Sequence, residues 1–191
     1  MTTEATSGLL TAEEFFALPD PPDGARLELI SGQVVRHMPA SGKHGVRVLF
    51  IGRRLAEFAE ANGLGTTLVE VGFILGRNPD QVRAPDVAFL ANEDTPVSGI
   101  PDEGFVERRP TLAVEVVSPN DLDSMVTDKV ADYLEAGVPR VWVVRPKRKL
   151  VTVYREDGSA RVLGIGSILA SEDAGFAADG FSLPLADLFP E

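Results

Sequence analysis

The sequence predicts an α/β (α+β) fold, a mixed central β-sheet flanked by helices, and three observations carry that expectation. Two long segments, residues 44–61 and 123–136, place apolar residues at helical spacing and are interleaved with short strand-like runs. One of those runs, residues 111–117 (TLAVEVV), is almost continuously apolar between Pro110 and Pro119, the pattern of a central strand covered on both faces. Near the amino terminus, two strand patterns, Arg26–Ile30 and Gln33–His37, meet at Ser31-Gly32 with the spacing of a tight hairpin.

Taken in order, Thr11 and Glu14 have capping-box spacing and predict a short helix through Ala17, stopped before Pro19. The hairpin follows. Val48, Ile51, Leu55 and Phe58 form the buried stripe expected of the helix 44–61, and Asn62-Gly63 supplies its stop. Residues 66–75 and 82–90 read as two strands across the turn-rich stretch 76–80, and 92–109 reads as a surface loop. After the 111–117 strand, helix 123–136 is closed by Gly137. Strands at 140–144 and Leu150–Arg155 flank a basic turn, 160–164 adds a further edge segment, and 181–189 folds back as a turn or short helix.

Residues 1–191 are read as a single domain, with a core over about 24–155 and acidic flanks at 1–23 and 156–191. The net charge of −11 sits in those flanks. Residues 1–23 hold five acids, Glu4 among them, and no base; residues 156–191 hold seven acids and Arg161 alone. Of 29 acids and 18 bases, 17 of each remain in the middle, so a nucleic-acid partner is not excluded by charge. Arg145, Lys147, Arg148 and Lys149 are candidates for a basic rim. The absence of Cys removes disulfides and thiolate zinc sites, and two His leave no conventional zinc site. No apolar run reaches membrane-spanning length and the amino end is acidic, so no membrane partner and a cytoplasmic location are expected.

Glu115 is the least expected residue. A carboxylate inside an apolar strand must be paired, protonated or bound to a metal; pairing with an Arg, or a turn to solvent at the strand end, is the alternative. Asp86 follows Pro85 at the head of an apolar run, where a capping or turn Asp is equally ordinary. On the helix 123–136, Val126, Val130, Tyr133 and Leu134 make the buried stripe, and Lys129 falls on its margin. There it either snorkels at the surface or returns to the end of the Glu115 strand. Two carboxylates and an ammonium converging in this way suit metal-assisted phosphodiester hydrolysis, since oxygen ligands bind a hard cation and a positive donor faces the phosphate. Glu28, between Leu27 and Leu29, faces opposite to both and reads as surface. His44 at a helix start is a base, a phosphate contact, or polar surface, and Glu70 is a weaker third carboxylate.

The ordered set Pro85-Asp86, then Glu115-Val116-Val117-Ser118-Pro119, then Lys129 with Tyr133, Gly137, Val138, Pro139 and Trp142, resembles the Uma-type bacterial family. That family consists of endonuclease-like proteins of the PD-(D/E)XK restriction-endonuclease-like superfamily. The early segment 27–35 and His44 also fit, so the likeness spans about 26–154, with 181–189 in addition. The resemblance implies a restriction-endonuclease-like core with an amino-terminal hairpin and a divalent ion, magnesium or manganese, on Asp86, Glu115 and the carbonyl of Val116. It implies DNA as substrate, and it draws Glu28 and His44 into the site. The superfamily lysine stands two residues after the Glu, where this chain has Val117; the family pattern moves it to the following helix, at Lys129.

The expected function is therefore a divalent-metal-dependent endonuclease hydrolysing DNA phosphodiester bonds. The alternative is a catalytically inactive nuclease-fold module for binding or regulation. A third is an oligomeric scaffold, a homodimer or larger homo-oligomer, in which an exposed edge strand near 151–154 pairs with a second copy.

Overall fold

In a computed structural model, which describes residues 8–118 and 121–189, the first element is set by its cap. Thr11 Oγ1 accepts from the Glu14 amide at 3.2 Å while Glu14 Oε2 accepts from the Thr11 amide at 2.9 Å. This reciprocal box starts α1 (Ala12–Phe16), which buries Ala12 and Phe15 against Leu29 and Val82. Glu4 and Pro119, used in the sequence reading, lie outside the described residues. The hairpin forms as expected: β1 (Arg26–Ile30) pairs with β2 (Gln33–His37), and Ser31 and Gly32 both take positive φ, as a two-residue primed turn requires. Helix α2 (Gly42–Asn62) begins two residues before the expected start, because Ser41 accepts from the His44 amide, and it ends at a left-handed Gly63.

The two long strands expected at 66–75 and 82–90 are each broken in two. The first becomes β3 (Gly65–Val69) and β4 (Phe73–Gly76), separated at Glu70, whose φ is 56°. The second becomes β5 (Gln81–Arg83) and β6 (Val87–Ala91), separated around Pro85, which has no amide hydrogen to continue a ladder. β3 pairs with β6 in one sheet and β4 with β5 in another, so a two-stranded ribbon crosses between sheets and Asp86 stands at the crossing. The expected loop 92–109 contributes Val106, which is buried and hydrogen-bonded to the backbone of Gly72 and Ile74.

The larger sheet has six strands in the order β10-β9-β8-β7-β6-β3, completed by β7 (Leu112–Val116), β8 (Arg140–Arg145), β9 (Leu150–Arg155) and β10 (Ala160–Leu163). The smaller sheet runs β2-β1-β5-β4. In the larger sheet β7 and β8 are parallel, with α3 (Asp123–Glu135) as the crossover between them, while the other pairs are antiparallel, so the sheet is mixed. Leu112, Val114 and Val116 pack toward α2, whereas Ala113 joins Val126, Val130 and Tyr133 of α3. By the two-residue period of a strand, Glu115 belongs to the α3 side. β9 is not an edge. It lies between β8 and β10 with both rows of backbone groups paired, which removes the self-pairing edge expected near 151–154.

The carboxy-terminal flank is woven into the same layer as α2. It forms β11 (Ile168–Ala170), α4 (Ser171–Ala174), β12 (Ser182–Pro184) and α5 (Leu185–Leu188), and it buries Leu169, Phe176, Phe181, Leu183 and Phe189. Trp142 Nε1 donates to the Asp173 carbonyl at 2.7 Å, tying this segment to the sheet. No described helix is long and apolar enough to cross a membrane.

Candidate active site

The position of the two acids follows from strand register. β6 and β7 pair antiparallel with Val87 opposite Val114, so Asp86 and Glu115 are the next residues on facing strands. The ladder ends there because the chain turns at Pro85, and the Asp86 side chain takes over: Oδ2 accepts from the Val116 amide at 2.7 Å. Glu115 is met from α3, where Lys129 Nζ lies 3.0 Å from Oε2 and Tyr133, one turn on, donates to Oε1 at 2.7 Å. Lys129 Nζ also lies 3.3 Å from Oε1 of Glu28, an acid of the other sheet, so the ammonium bridges both sheets.

Glu28 is buried, not surface, and accepts from the Ala84 amide at 3.1 Å and from Arg83 Nη1 at 2.7 Å. His37 Nε2 is 2.7 Å from Glu28 Oε2, close enough to attract but poorly aligned for a hydrogen bond. Arg83 continues to Asp132 of α3. His44 is likewise buried: its Nε2 lies 3.1 Å from Asp86 Oδ1 and its Nδ1 3.2 Å from Ser118 Oγ. Arg26 donates through both terminal nitrogens to Asp86 Oδ1 at 3.1 Å. Glu70, the weaker third carboxylate, is half exposed; its side chain meets Arg26, and its amide donates to the Asp86 carbonyl at 3.4 Å.

Three buried acids share this network with unequal protonation. Burial pushes Glu28 upward, but the close approach of His37 and the charges of Lys129 and Arg83 outweigh it and hold the group well below the carboxylate range. Burial also raises Asp86, and the His44 hydrogen bond and charge, the Val116 amide and Arg26 reverse the sign. Glu115 is different. Burial raises it, Lys129 pulls it back, and the charges of Asp86 and Glu28 raise it again, leaving it at about 7. Burial lowers Lys129, and the charges of Glu115 and Glu28 reverse the sign and keep it protonated. The hydrogen bond that His44 donates to Asp86 raises His44.

Asp86, Glu115, Val116 and Lys129 open onto one cavity of about 200 Å3, together with Arg26 and Met125. Residues 116–118 separate it from a cavity of about 580 Å3 at the amino end of α2. Among the described residues no three His, Asp or Glu side chains form a metal-ligand cluster. The chain therefore offers a hard cation two carboxylates and a peptide carbonyl: N–H and C=O of an extended residue leave the strand on the same edge, so the Val116 carbonyl follows its amide toward Asp86. This donor set fits magnesium, which takes one or two carboxylates and keeps water or phosphate in its other positions.

Of the five residues singled out as catalytic candidates, Glu28, Glu115 and Lys129 share one cluster of side-chain contacts and His44 and Asp86 another, the two joined through the Val116 amide that donates to Asp86. Arg26, His37, Arg83 and Ser118 were not anticipated there. Arg26 and His37 face each other in the hairpin register, and both could have been placed beside Glu28 by the two-residue period. Arg83 and Ser118 carry no local signal, because their partners lie 55 and 74 residues away.

The fold and this arrangement define a protein of the restriction-endonuclease-like class. A family model, Uma2, described as "Putative restriction endonuclease", matches residues 12–185, and the chain belongs to that family. Among solved structures the chain is similar to "a putative nuclease belonging to DUF820 from Anabaena variabilis ATCC 29413". That similarity has a TM-score of 0.75 at 21% identity, over 94% of this chain and 97% of the other, and it shows a shared fold. No curated protein matches the chain.

Proposed function

We propose that this protein is a magnesium- or manganese-dependent endonuclease that hydrolyses DNA phosphodiester bonds. The observation that carries the proposal is the pairing of Asp86 and Glu115 at one cavity, with Lys129 Nζ 3.0 Å from Glu115. Asp86, Glu115 and the Val116 carbonyl would hold the ion. When bound, it supplies Lewis acidity at a phosphoryl oxygen and a lowered pKa for water. Lys129 acts from α3 in place of a lysine at Val117. Its ammonium orients Glu115 and donates to the phosphate or the attacking water, and Glu28 holds it in place. His44 Nε2 fixes the Asp86 carboxylate and, through Nδ1 and Ser118, faces the larger cavity.

Manganese should raise the melting temperature by linkage, by an amount equivalent to about 2.7 kcal/mol at a hundred times Kd. Glu115→Gln should abolish that rise and the nicking of supercoiled DNA. It is a cleaner variant than Asp86→Asn, which also strips Arg26 and His44 of their partner. A manganese response that survives Glu115→Gln overturns the metal assignment. A second reading, a nuclease-fold binding module, is favoured by one observation: Arg26 and His44 already engage Asp86 Oδ1. Ion binding and DNA binding without cutting of any DNA would establish it.

A further inference from the structure

The cations of the carboxylate site are each matched: Arg26 to Asp86 and Glu70, Arg83 to Glu28 and Asp132, Lys129 to Glu115 and Glu28. The neighbouring cavity of about 580 Å3 is the opposite case. It is lined by Lys43 and Arg47 from the first turns of α2, by Arg145 at the end of β8, and by Lys147 and Arg148 from the turn between β8 and β9. Two acids, Asp121 and Asp123, also line it, and both are engaged: Asp121 accepts from the Ser118 amide at 2.7 Å, and Asp123 lies 3.6 Å from Arg145. Among the described residues, Lys43, Arg47, Lys147 and Arg148 have no carboxylate within ion-pair distance. The Nε of Arg47 is buried without a hydrogen-bond acceptor, although its Nη1 is held by the Lys43 carbonyl at 3.1 Å.

A buried guanidinium donor without a partner costs free energy, and four unmatched cations around one cavity repel each other in a chain whose net charge is −11. An oxyanion in the cavity relieves the repulsion. The first turn of α2 adds to this, since it holds no acid and its amide dipoles point at the same space. Position narrows the anion's class. Val116, Val117 and Ser118 line both cavities, so an anion here sits next to whatever occupies the Asp86–Glu115 cavity.

We propose that this basic cavity is a phosphate subsite that holds a non-scissile backbone phosphate of the DNA strand whose neighbouring bond lies at Asp86 and Glu115. Lys43, Arg47, Lys147 and Arg148 make the contacts. This rests on the nuclease assignment and deepens it. The substrate is a polynucleotide and not a mononucleotide or simple phosphodiester, and the strand runs over residues 116–118 from one cavity to the other. The contact is with phosphate, so it carries no base preference.

The test is the anisotropy of a fluorescein-labelled oligonucleotide in EDTA, titrated with the full chain at several salt concentrations. The wild type is compared with Arg47→Met/Lys147→Met/Arg148→Met and with Arg53→Met, an exposed arginine of α2 paired to Glu57 outside the cavity. Binding should be weakened at least about tenfold at low salt in the triple variant, and the slope of log affinity on log salt should fall by about one or more. Arg53→Met should follow the wild type, and melting curves should show all three folded. Unchanged affinity and slope in a folded triple variant overturn the subsite, as does a wild type that does not bind the oligonucleotide. Nicking of supercoiled DNA in manganese is scored separately. A wild type that binds in this salt-dependent way but never nicks sinks the nuclease assignment and leaves the phosphate site standing.

Discussion

Lys129 shows how far a residue's role depends on its partners. By helical position it flanks an apolar stripe, and Lys129→Met would be near-isosteric there. Its ammonium in fact lies between Glu115 and Glu28, both buried, so the same change leaves Glu115 with only the Tyr133 hydroxyl and Glu28 with Arg83 as its remaining cation, at a cost of about 3–5 kcal/mol. We expect Lys129→Met to lower the denaturation midpoint more at pH 8 than at pH 5.5, where Glu115 takes up a proton. Nicking should fall by about 10²–10³, the usual loss for a preorganised charge at the transition state. Adding Glu115→Gln should restore stability and leave nicking absent. Equal midpoints for Lys129→Met and wild type at pH 8 would remove the bridging role. Glu115 itself gives a pH signature. It titrates at about 7 when folded against an ordinary 4.5, so between those values the folded chain holds a proton that the unfolded chain has released. Its contribution therefore erodes stability as pH rises from about 4.5 to about 7, while Glu28, held low, contributes above about 4.5 and is lost on acidification. Metal-free unfolding of Glu115→Gln should lose the neutral-range decline and keep the acid one. A decline identical to wild type would mean that Glu115 is already ionised at pH 5.

At the level of elements, the site depends on where strands stop. β6 begins only after Pro85, and this stop frees Asp86 to reach the Val116 amide and not extend a ladder. The partner strand is held as tightly. Gly65 opens β3 at φ 151°, and a Cβ there would drive into the Leu90 carbonyl of β6, backbone that cannot yield. Gly65→Ala should cost about 1–3 kcal/mol, read as a lower urea midpoint at unchanged m-value. A midpoint equal to wild type would show that β3 can shift on β6. The crossover β7–α3–β8 does the complementary work: it delivers Lys129 and Tyr133 to the strand the helix has just left, 14 and 18 residues after Glu115.

For the whole molecule, the segment after residue 156 is part of the core. Trp142, wholly buried at the centre of the sheet, donates to the Asp173 carbonyl and lies under Phe181, which also meets Phe58 and Phe176. Truncation after residue 166 should expose this cluster. The product should bind an apolar dye and lose the cooperative thermal transition, because the part of the sheet's covering that packs beside α2 is gone. A truncated chain that melts cooperatively near the wild-type temperature would make this segment an accessory.

The sequence by itself determined what short-range physics decides. Helical stripes at 44–61 and 123–136, the hairpin turn at Ser31-Gly32, the capping box at Thr11 and the buried central strand at 111–117 are all set within a few residues, and each appears. Lys129 was placed near the Glu115 strand for the same reason, since a short crossover brings a helix back over its own strand. Tertiary structure alone decided the rest. It broke two expected strands to pass between two sheets, buried Glu28 against Arg83 across 55 residues, and joined His44 to Asp86 across 42. It also turned an acidic tail into a core layer and set the β8–β9 turn beside the amino end of α2. A buried charge must find its counter-charge wherever the fold brings one, and that choice leaves no period or spacing in the chain.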